Sequence, residues 1–427
     1  MKKVPRLRFR GFSEDWELCK FKGLLDEQDG IRRGPFGSAL KKAFFVENSE
    51  YVVYEQQNAI YDTYETRYKI SKEKFKELEK FSISEGDFIM SGAGTIGRIS
   101  RVPKGVAKGV FNQALIRFRT NTEVTDSEYF IQFVRADKMQ KKLTGANPGS
   151  AITNLVPMSE IKKWDILIPS KKEQILVGLF LKKLDNTITL HQRKLDQLKN
   201  LKNAYLQLMF VSNGPENSTV PKLRFANFTE EWELCGFFDT IEDTIDFRGR
   251  TPKKLGLDWS DNGYLALSAL NVKHGYIDSN IDAHYGNQEL YDKWMSGKEL
   301  RKGQVLFTTE APMGNVAQIP DNTGYILSQR TIAFETKKNR ITDDFLAVLL
   351  GSPKIFNELS SLSSGGTAKG ISQKSLSQLR IQIPCSISEQ KEIGIFFKQL
   401  NETITLHQNK LDQLKDLKKS YLQNMFI

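Results

Sequence analysis

The chain repeats itself after 216 residues, and a fold for it must therefore be a fold written twice. Val4-Pro-Arg-Leu-Arg-Phe9 returns as Val220-Pro-Lys-Leu-Arg-Phe225. Trp16-Glu-Leu-Cys19 returns as Trp232-Glu-Leu-Cys235. Between 187–210 and 403–426, 19 of 24 positions are identical. The similarity is uneven. The opening segments and closing stretches nearly coincide, whereas the middles, about 25–165 and 240–380, keep only punctuation. Gly86, Gly97, Pro103, Gln113 and Pro169 answer to Gly303, Gly314, Pro320, Gln329 and Pro384. Two copies with one frame and different middles suggest two variable readers on a common scaffold.

Each copy closes on a helical pattern. Ser170-Lys-Lys-Glu173 and Ser386-Ile-Ser-Glu389 have the form of capping boxes, in which serine and glutamate satisfy the first helical N–H groups. After them, Val177, Leu181, Leu184, Ile188, His191, Leu195 and Leu198 alternate spacings of 4 and 3. Leu400, Ile404, His407, Leu411 and Leu414 do the same in copy two. That is a coiled-coil seam, with the histidines as polar register residues. A helix of about 38 residues from Lys171 would be about 57 Å long. The middles read as β-rich. Tyr51–Tyr54, Phe88–Met90, Ala114–Phe118 and Ile166–Ile168 form short β-type runs in copy one. Tyr264–Leu267, Val305–Phe307, Thr331–Phe334 and Ile381–Ile383 do so in copy two. Glu128–Leu143 and Asp343–Leu350 have helical spacing. The expected segments are 1–169, a helix at 170–211, a linker at 212–219, 220–385, and a second helix at 386–427.

Composition narrows the function classes. With 39% hydrophobic and 26% charged residues, this is an ordinary folded protein. No apolar run approaches the ~20 residues that a bilayer span needs. Three cysteines without a CxxC make no disulfide framework, so a reducing cytoplasm is the expected compartment. The net charge of +11 is uneven, with 29 basic against 22 acidic residues in 1–170 and 19 against 21 in 211–385. Bulk charge therefore hints at a polyanion without establishing one.

Catalytic signatures are missing. Gly92-Ala-Gly94-Thr-Ile-Gly97 matches a dinucleotide fingerprint, but Arg98-Ile-Ser-Arg-Val-Pro103 follows as a second β run, where a helix is required. A β–turn–β reading is favoured. No phosphate-binding P-loop or amino-methyltransferase tetrapeptide occurs, and His274 and His284 have no cysteine partners for a metal. Trp16 and Trp232 read as local core. What remains are polar, glycine-bearing loops at corresponding places. Copy one offers Arg32, Arg33, Lys41, Lys42, Thr95, Arg98, Gln113, Asn147 and Ser150. Copy two offers Arg248, Arg250, Lys253, Lys254, Asn315, Gln329, Arg330, Thr367 and Lys369. Arginine, lysine, asparagine and glutamine read base edges, hydroxyls bond phosphates, and glycine allows close approach.

The duplication, the divergent middles, the P-[KR]-L-R-F…W-E-L openings, the Gly34-Pro-Phe-Gly-Ser38 loop and the near-identical capped helices together resemble the specificity subunit of type I restriction–modification systems. The resemblance covers essentially the whole chain. It implies an α+β fold, with two pseudo-repeated mixed α/β target-recognition domains and two long antiparallel coiled-coil helices. Each domain would bind one half of a bipartite double-stranded DNA site. The helices would set the spacing and dock two methyltransferase subunits, which restriction and translocase subunits then join. The chain itself would be non-catalytic, with S-adenosylmethionine, Mg and ATP bound on those partners. A protein scaffold without DNA specificity and a stand-alone DNA-modifying enzyme remain the alternatives.

Overall fold

The alternating 4/3 spacing is realised as a helix over Lys171–Leu208 and another over Ile387–Met425 in the computed structural model, which describes residues 4–145, 157–211, 219–363 and 369–427. The seam side chains are withdrawn from solvent. Leu184, Leu195, Leu198, Leu411 and Leu414 are buried, and Ile188, His191, Leu400, Ile404 and His407 are half-buried. The chain divides into two compact units, one of residues 1–192 and 410–427, the other of 193–409. Each unit therefore holds the start of one long helix and the end of the other.

Within unit 1 the two helix pieces run antiparallel. Phe180, near the start of the first helix, meets Tyr421, near the end of the second, edge to face at 4.8 Å. Unit 2 makes the same contact with the copies exchanged, as Phe396 meets Tyr205 at 4.9 Å. The opening segments follow suit. Leu7 N–H donates to the Asn424 carbonyl in unit 1, and Leu223 N–H to the Leu208 carbonyl in unit 2, each at about 3 Å.

The divergent middles build the same frame. In unit 1 an antiparallel sheet has the order Ile31–Arg33, Leu115–Phe118, Phe88–Ser91, Ile99–Arg101. Unit 2 matches it with Ile241–Asp246, Thr331–Thr336, Val305–Thr308, Val316–Gln318. A second sheet differs between the units. It has four strands in unit 1, around Tyr51–Tyr54, and three in unit 2, around Tyr264–Leu267. The opening and closing strands pair in both, Glu17–Lys20 with Asp165–Ile168 and Trp232–Gly236 with Arg380–Pro384.

A short helix carries each middle onto its long helix. Ser127–Arg135 does so in unit 1, capped by the Asp126 side chain. Its backbone comes so close to Gly178 that a Cβ there would lie 2.6 Å from the Tyr129 nitrogen, so only glycine fits. Gly394 plays the same part against Asp344–Phe345 in unit 2. The long-helix ends then complete the cores. Phe426 packs on Tyr129 and Phe133, and Phe210 on Phe345 and Trp232. Burying each such ring contributes roughly 2–3 kcal/mol. Trp16 and Trp232 are buried core residues, as the sequence suggests.

Two local readings change. The helical stretch at Glu128–Leu143 is two helices, Ser127–Arg135 and Asp137–Thr144, because Ala136 is extended, with ψ 139°, and breaks the first. The capping boxes are not closed by their glutamates. Glu173 and Glu389 are buried and held by Arg8 and Arg224, a charged pairing that outweighs a local bond to a serine N–H.

Candidate nucleic-acid interface

In unit 1 the candidate loops converge at one end of the antiparallel sheet. Strand Ile31–Arg33 pairs with Leu115–Phe118 and then turns at Gly34, whose N–H bonds the Leu115 carbonyl at 3.0 Å. A Cβ on Gly34 would collide with the Asn112–Gln113 backbone, so glycine is required there. Arg33 Nε donates to the Gln113 carbonyl at 3.3 Å, leaving the Gln113 side chain exposed. Gly92 N–H bonds the Ala114 carbonyl at 2.7 Å and brings in the glycine-rich turn. Arg33, Pro35, Gly37, Leu40, Ala93 and Gln113 bound a concavity of about 400 Å³.

That turn joins two strands, as the sequence indicates. The Ser91 hydroxyl donates to the Thr95 carbonyl and accepts from Arg98 N–H at 3.0 Å, and Gly97 N–H bonds the Ser91 carbonyl at 2.9 Å. Thr95 and Arg98 stand exposed on it. Unit 2 repeats the device with different letters. The Thr308 hydroxyl donates to the Pro312 carbonyl at 2.6 Å and accepts from Asn315 N–H at 2.9 Å.

Unit 2 repeats the convergence as well. Gln329, the counterpart of Gln113, donates from Nε2 to the Arg250 carbonyl at 3.3 Å and so ties the loop after strand Ile241–Asp246 to this end of the sheet. The Arg250 guanidinium sits 4.1 Å over the Phe247 ring and donates to the Trp294 carbonyl. Lys253 and Lys254 are exposed beside it, on a short turn opened by the Thr251 side chain. Arg250, Lys253, Trp259, His284, Gln329 and Arg330 line a concavity of about 470 Å³. Arg330 has φ +64° and an ion pair with Glu310 at 3.1 Å.

The other candidates take varied positions. Lys41 and Lys42 are exposed on the segment that leaves the Gly34 loop, and Lys369 is exposed in unit 2. Arg32 turns inward to Asp29 at 2.7 Å. Arg248 chelates Asp246 at 2.8 and 2.9 Å, and the Asn315 side chain donates to the Val272 carbonyl. Asn147, Ser150 and Thr367 lie outside the described residues.

Toward the opposite end of the same unit 1 sheet, where Ile31, Phe88 and Phe118 pair, lies a charged cluster that the sequence gives no sign of. Arg117 is 1% exposed, pairs with Asp29 and donates to the Ser82 carbonyl at 2.6 Å. Arg119 bridges Asp29 and Asp87. Burial lowers the Arg117 pKa, and the neighbouring carboxylates counter it. Phe36 was also passed over. It is 81% exposed at the tip of the Gly34 loop, and its only signal was the flanking Pro-Phe-Gly. Guanidinium, amide, hydroxyl and one bare ring form a surface suited to reading edges and phosphates. Among the described residues, no group of histidine, cysteine, aspartate and glutamate is placed to hold a metal ion. Among them too, no helix is long and apolar enough to cross a membrane.

The model of the type I restriction modification DNA specificity domain matches the chain twice, over residues 15–200 and 237–416. A putative type I restriction enzyme specificity subunit of Methanocaldococcus jannaschii, MjaX, is 21% identical over 354 residues, covering 82% of this chain and 79% of the relative. The MjaVIII specificity subunit of the same organism is 22% identical, covering 74% and 73%. Among solved structures, a type I restriction–modification S subunit from M. genitalium superposes with a TM-score of 0.63 at 13% identity, covering 99% of both chains. A chain from a structure concerned with complex assembly and conformational transition of the type I R-M system gives 0.52 at 16% identity, covering 96% and 97%.

Proposed function

The chain belongs to the type I restriction–modification DNA specificity family, and from that premise we propose how its two units divide the work. Each unit reads one half of a bipartite, interrupted site on double-stranded DNA. The long helices fix the gap between the halves and dock two methyltransferase subunits, with restriction and translocase subunits joining the assembly. The chain contributes recognition alone. S-adenosylmethionine, Mg and ATP belong to the partners, and the assembly works in the cytoplasm.

One observation carries this reading. In both units an arginine–glutamine pair ties a polar loop to the sheet beside a strand–turn–strand, with the roles exchanged: the Arg33 side chain donates to the Gln113 carbonyl, and the Gln329 side chain donates to the Arg250 carbonyl. The side chains around that pair differ between units, as two different half-sites would need. The separation is reasonable, since a helix of about 57 Å exceeds the 34–36 Å of one DNA turn between half-site centres.

The test is DNA binding by the purified full chain, with and without a methyltransferase partner. Specific binding should weaken steeply with salt, with a log–log slope near −0.9 per phosphate contacted. The isolated chain should transfer no methyl group. Salt-independent binding, or methyl transfer by the chain alone, would contradict the proposal.

A further inference from the structure

The duplication supplies an internal control for one cleft. In unit 1, Asp185 of the first long helix closes a polar cluster. It pairs with Lys418 at 2.5 Å, accepts from Gln132 Nε2 at 2.8 Å and lies 3.8 Å from Arg135. The 216-residue register puts Asn401, Lys202, Val348 and Gly351 at these four positions in unit 2. All four line one cleft of about 460 Å³. The space filled in unit 1 by an arginine and a glutamine has been emptied, and His274 lies over Gly351, its Cε1 2.8 Å from where a Cβ would stand.

Lys202 has kept its place and lost its carboxylate. It is half-buried, and no acidic group among the described residues pairs with it. Burial holds its pKa below the usual lysine value, and burial together with the Lys202 charge lowers that of His274. The acidic residues of the cleft are otherwise engaged or exposed. Asp344 accepts from Gln318 at 2.8 Å, and Glu402 is exposed. Val348 and Phe397 give the cleft an apolar wall. A desolvated ammonium without a counter-ion is costly, and a carboxylate is the group that relieves it.

We propose that this cleft binds a carboxylate carried on a short apolar stem, with its head on Lys202 and Asn401 and its stem against Val348 and Phe397. The ligand replaces in trans what Asp185 supplies in cis in unit 1. The carboxylate can arrive as a free small acid or on a glutamate or aspartate of a protein partner. The chemistry at Lys202 is the same in both cases.

Butyrate serves as the probe, because it reproduces the end of a glutamate side chain. The full chain has four histidines, so ring-labelled histidine gives a simple NMR spectrum in which His274→Gln assigns the His274 signal. Butyrate should shift that signal saturably at pH 7.5, and butylammonium or matched chloride should not. Lys202→Met and Asn401→Asp should each weaken the response by at least about tenfold, the loss of one charge-assisted contact. Lys418→Met should leave it unchanged. Asn401→Asp rebuilds the unit 1 pair, so it should match or exceed the wild-type melting temperature and keeps the test valid if Lys202→Met folds poorly. A shift that does not saturate, or one that survives in Asn401→Asp, overturns the proposal.

A second arm separates the sources and rests on the proposed assembly with methyltransferase subunits. If a partner supplies the carboxylate, the His274 signal in the complex already sits at its butyrate-bound position and no longer moves. If a free acid is the ligand, the complex still responds. The first arm needs neither DNA nor partner, so its failure is distinct from failure of the recognition reading.

Discussion

Arg8 grips Glu173 with two hydrogen bonds, 2.7 Å from Nε to Oε1 and 2.9 Å from Nη2 to Oε2. The carboxylate is 1% exposed. Arg224 holds Glu389 in the same way at 2.7 Å twice, and Trp232 Nε1 adds a third donor at 3.3 Å. The arginine of each opening segment thus locks that segment to the first turn of its own long helix. This explains why both segments have been retained while the middles diverged.

Removing one partner of such a buried pair leaves the other charge uncompensated. Arg8→Ala should cost about 3–5 kcal/mol of unfolding free energy, read by urea titration. The double variant Arg8→Ala, Glu173→Leu should recover part of that loss. A change in Arg8→Ala below about 1 kcal/mol, the scale of an exposed pair, would show the clamp to be incidental.

Acid should act through Asp29. Burial pushes its carboxyl up, but the Arg32 hydrogen bond and the Arg117 charge prevail and hold it below the ordinary value. A carboxylate with a depressed folded pKa gives stability that is complete above its unfolded pKa, about 4, and fades as the pH falls through the folded value. Asp29→Asn should therefore be less stable than wild type at pH 7 and lose less between about pH 5 and 2. Parallel pH–stability curves for the two proteins would count against this role.

The Gly34 turn should matter for recognition beyond its effect on stability. Gly34→Ala must displace the loop from the Asn112–Gln113 backbone. It should weaken binding at one half-site only, as should Gln113→Ala, the latter by roughly 1–3 kcal/mol if Gln113 reads a base with two bonds. Competition binding with DNA altered in one half at a time checks this. Equal losses at both halves would make Gln113 a framework residue.

Much of this was legible in the sequence, for identifiable reasons. The long helices carry a periodic signal over many turns. The core strands are short apolar runs, and Gly92–Gly97 could be read as a strand–turn–strand from the β run after it. The Arg8–Glu173 clamp was hidden because its partners are 165 residues apart and because the glutamate also fits a local capping pattern. The break at Ala136 was hidden because the apolar spacing continues through it. Arg117 was hidden because an arginine in an apolar strand gives no sign of the Asp29 that receives it.

The helices should act as rulers. Four residues inserted between Leu195 and Leu198 add about 6 Å and turn the downstream part of the helix by about 40°. The preferred gap between half-sites should lengthen by one or two base pairs, at about 3.4 Å each, with the bases of both halves unchanged. Methylome sequencing of cells carrying the insertion gives the gap directly, and an unchanged gap would reduce the helices to docking surfaces.

The central claim is that each unit reads its own half-site. Residues 25–165 exchanged for the corresponding stretch of a relative, with partner subunits present, put that claim to methylome sequencing. One half of the methylated motif should change to the donor's, while the other half and the gap stay as they were. A chimera that methylates the original motif, or one altered in both halves, would contradict the account.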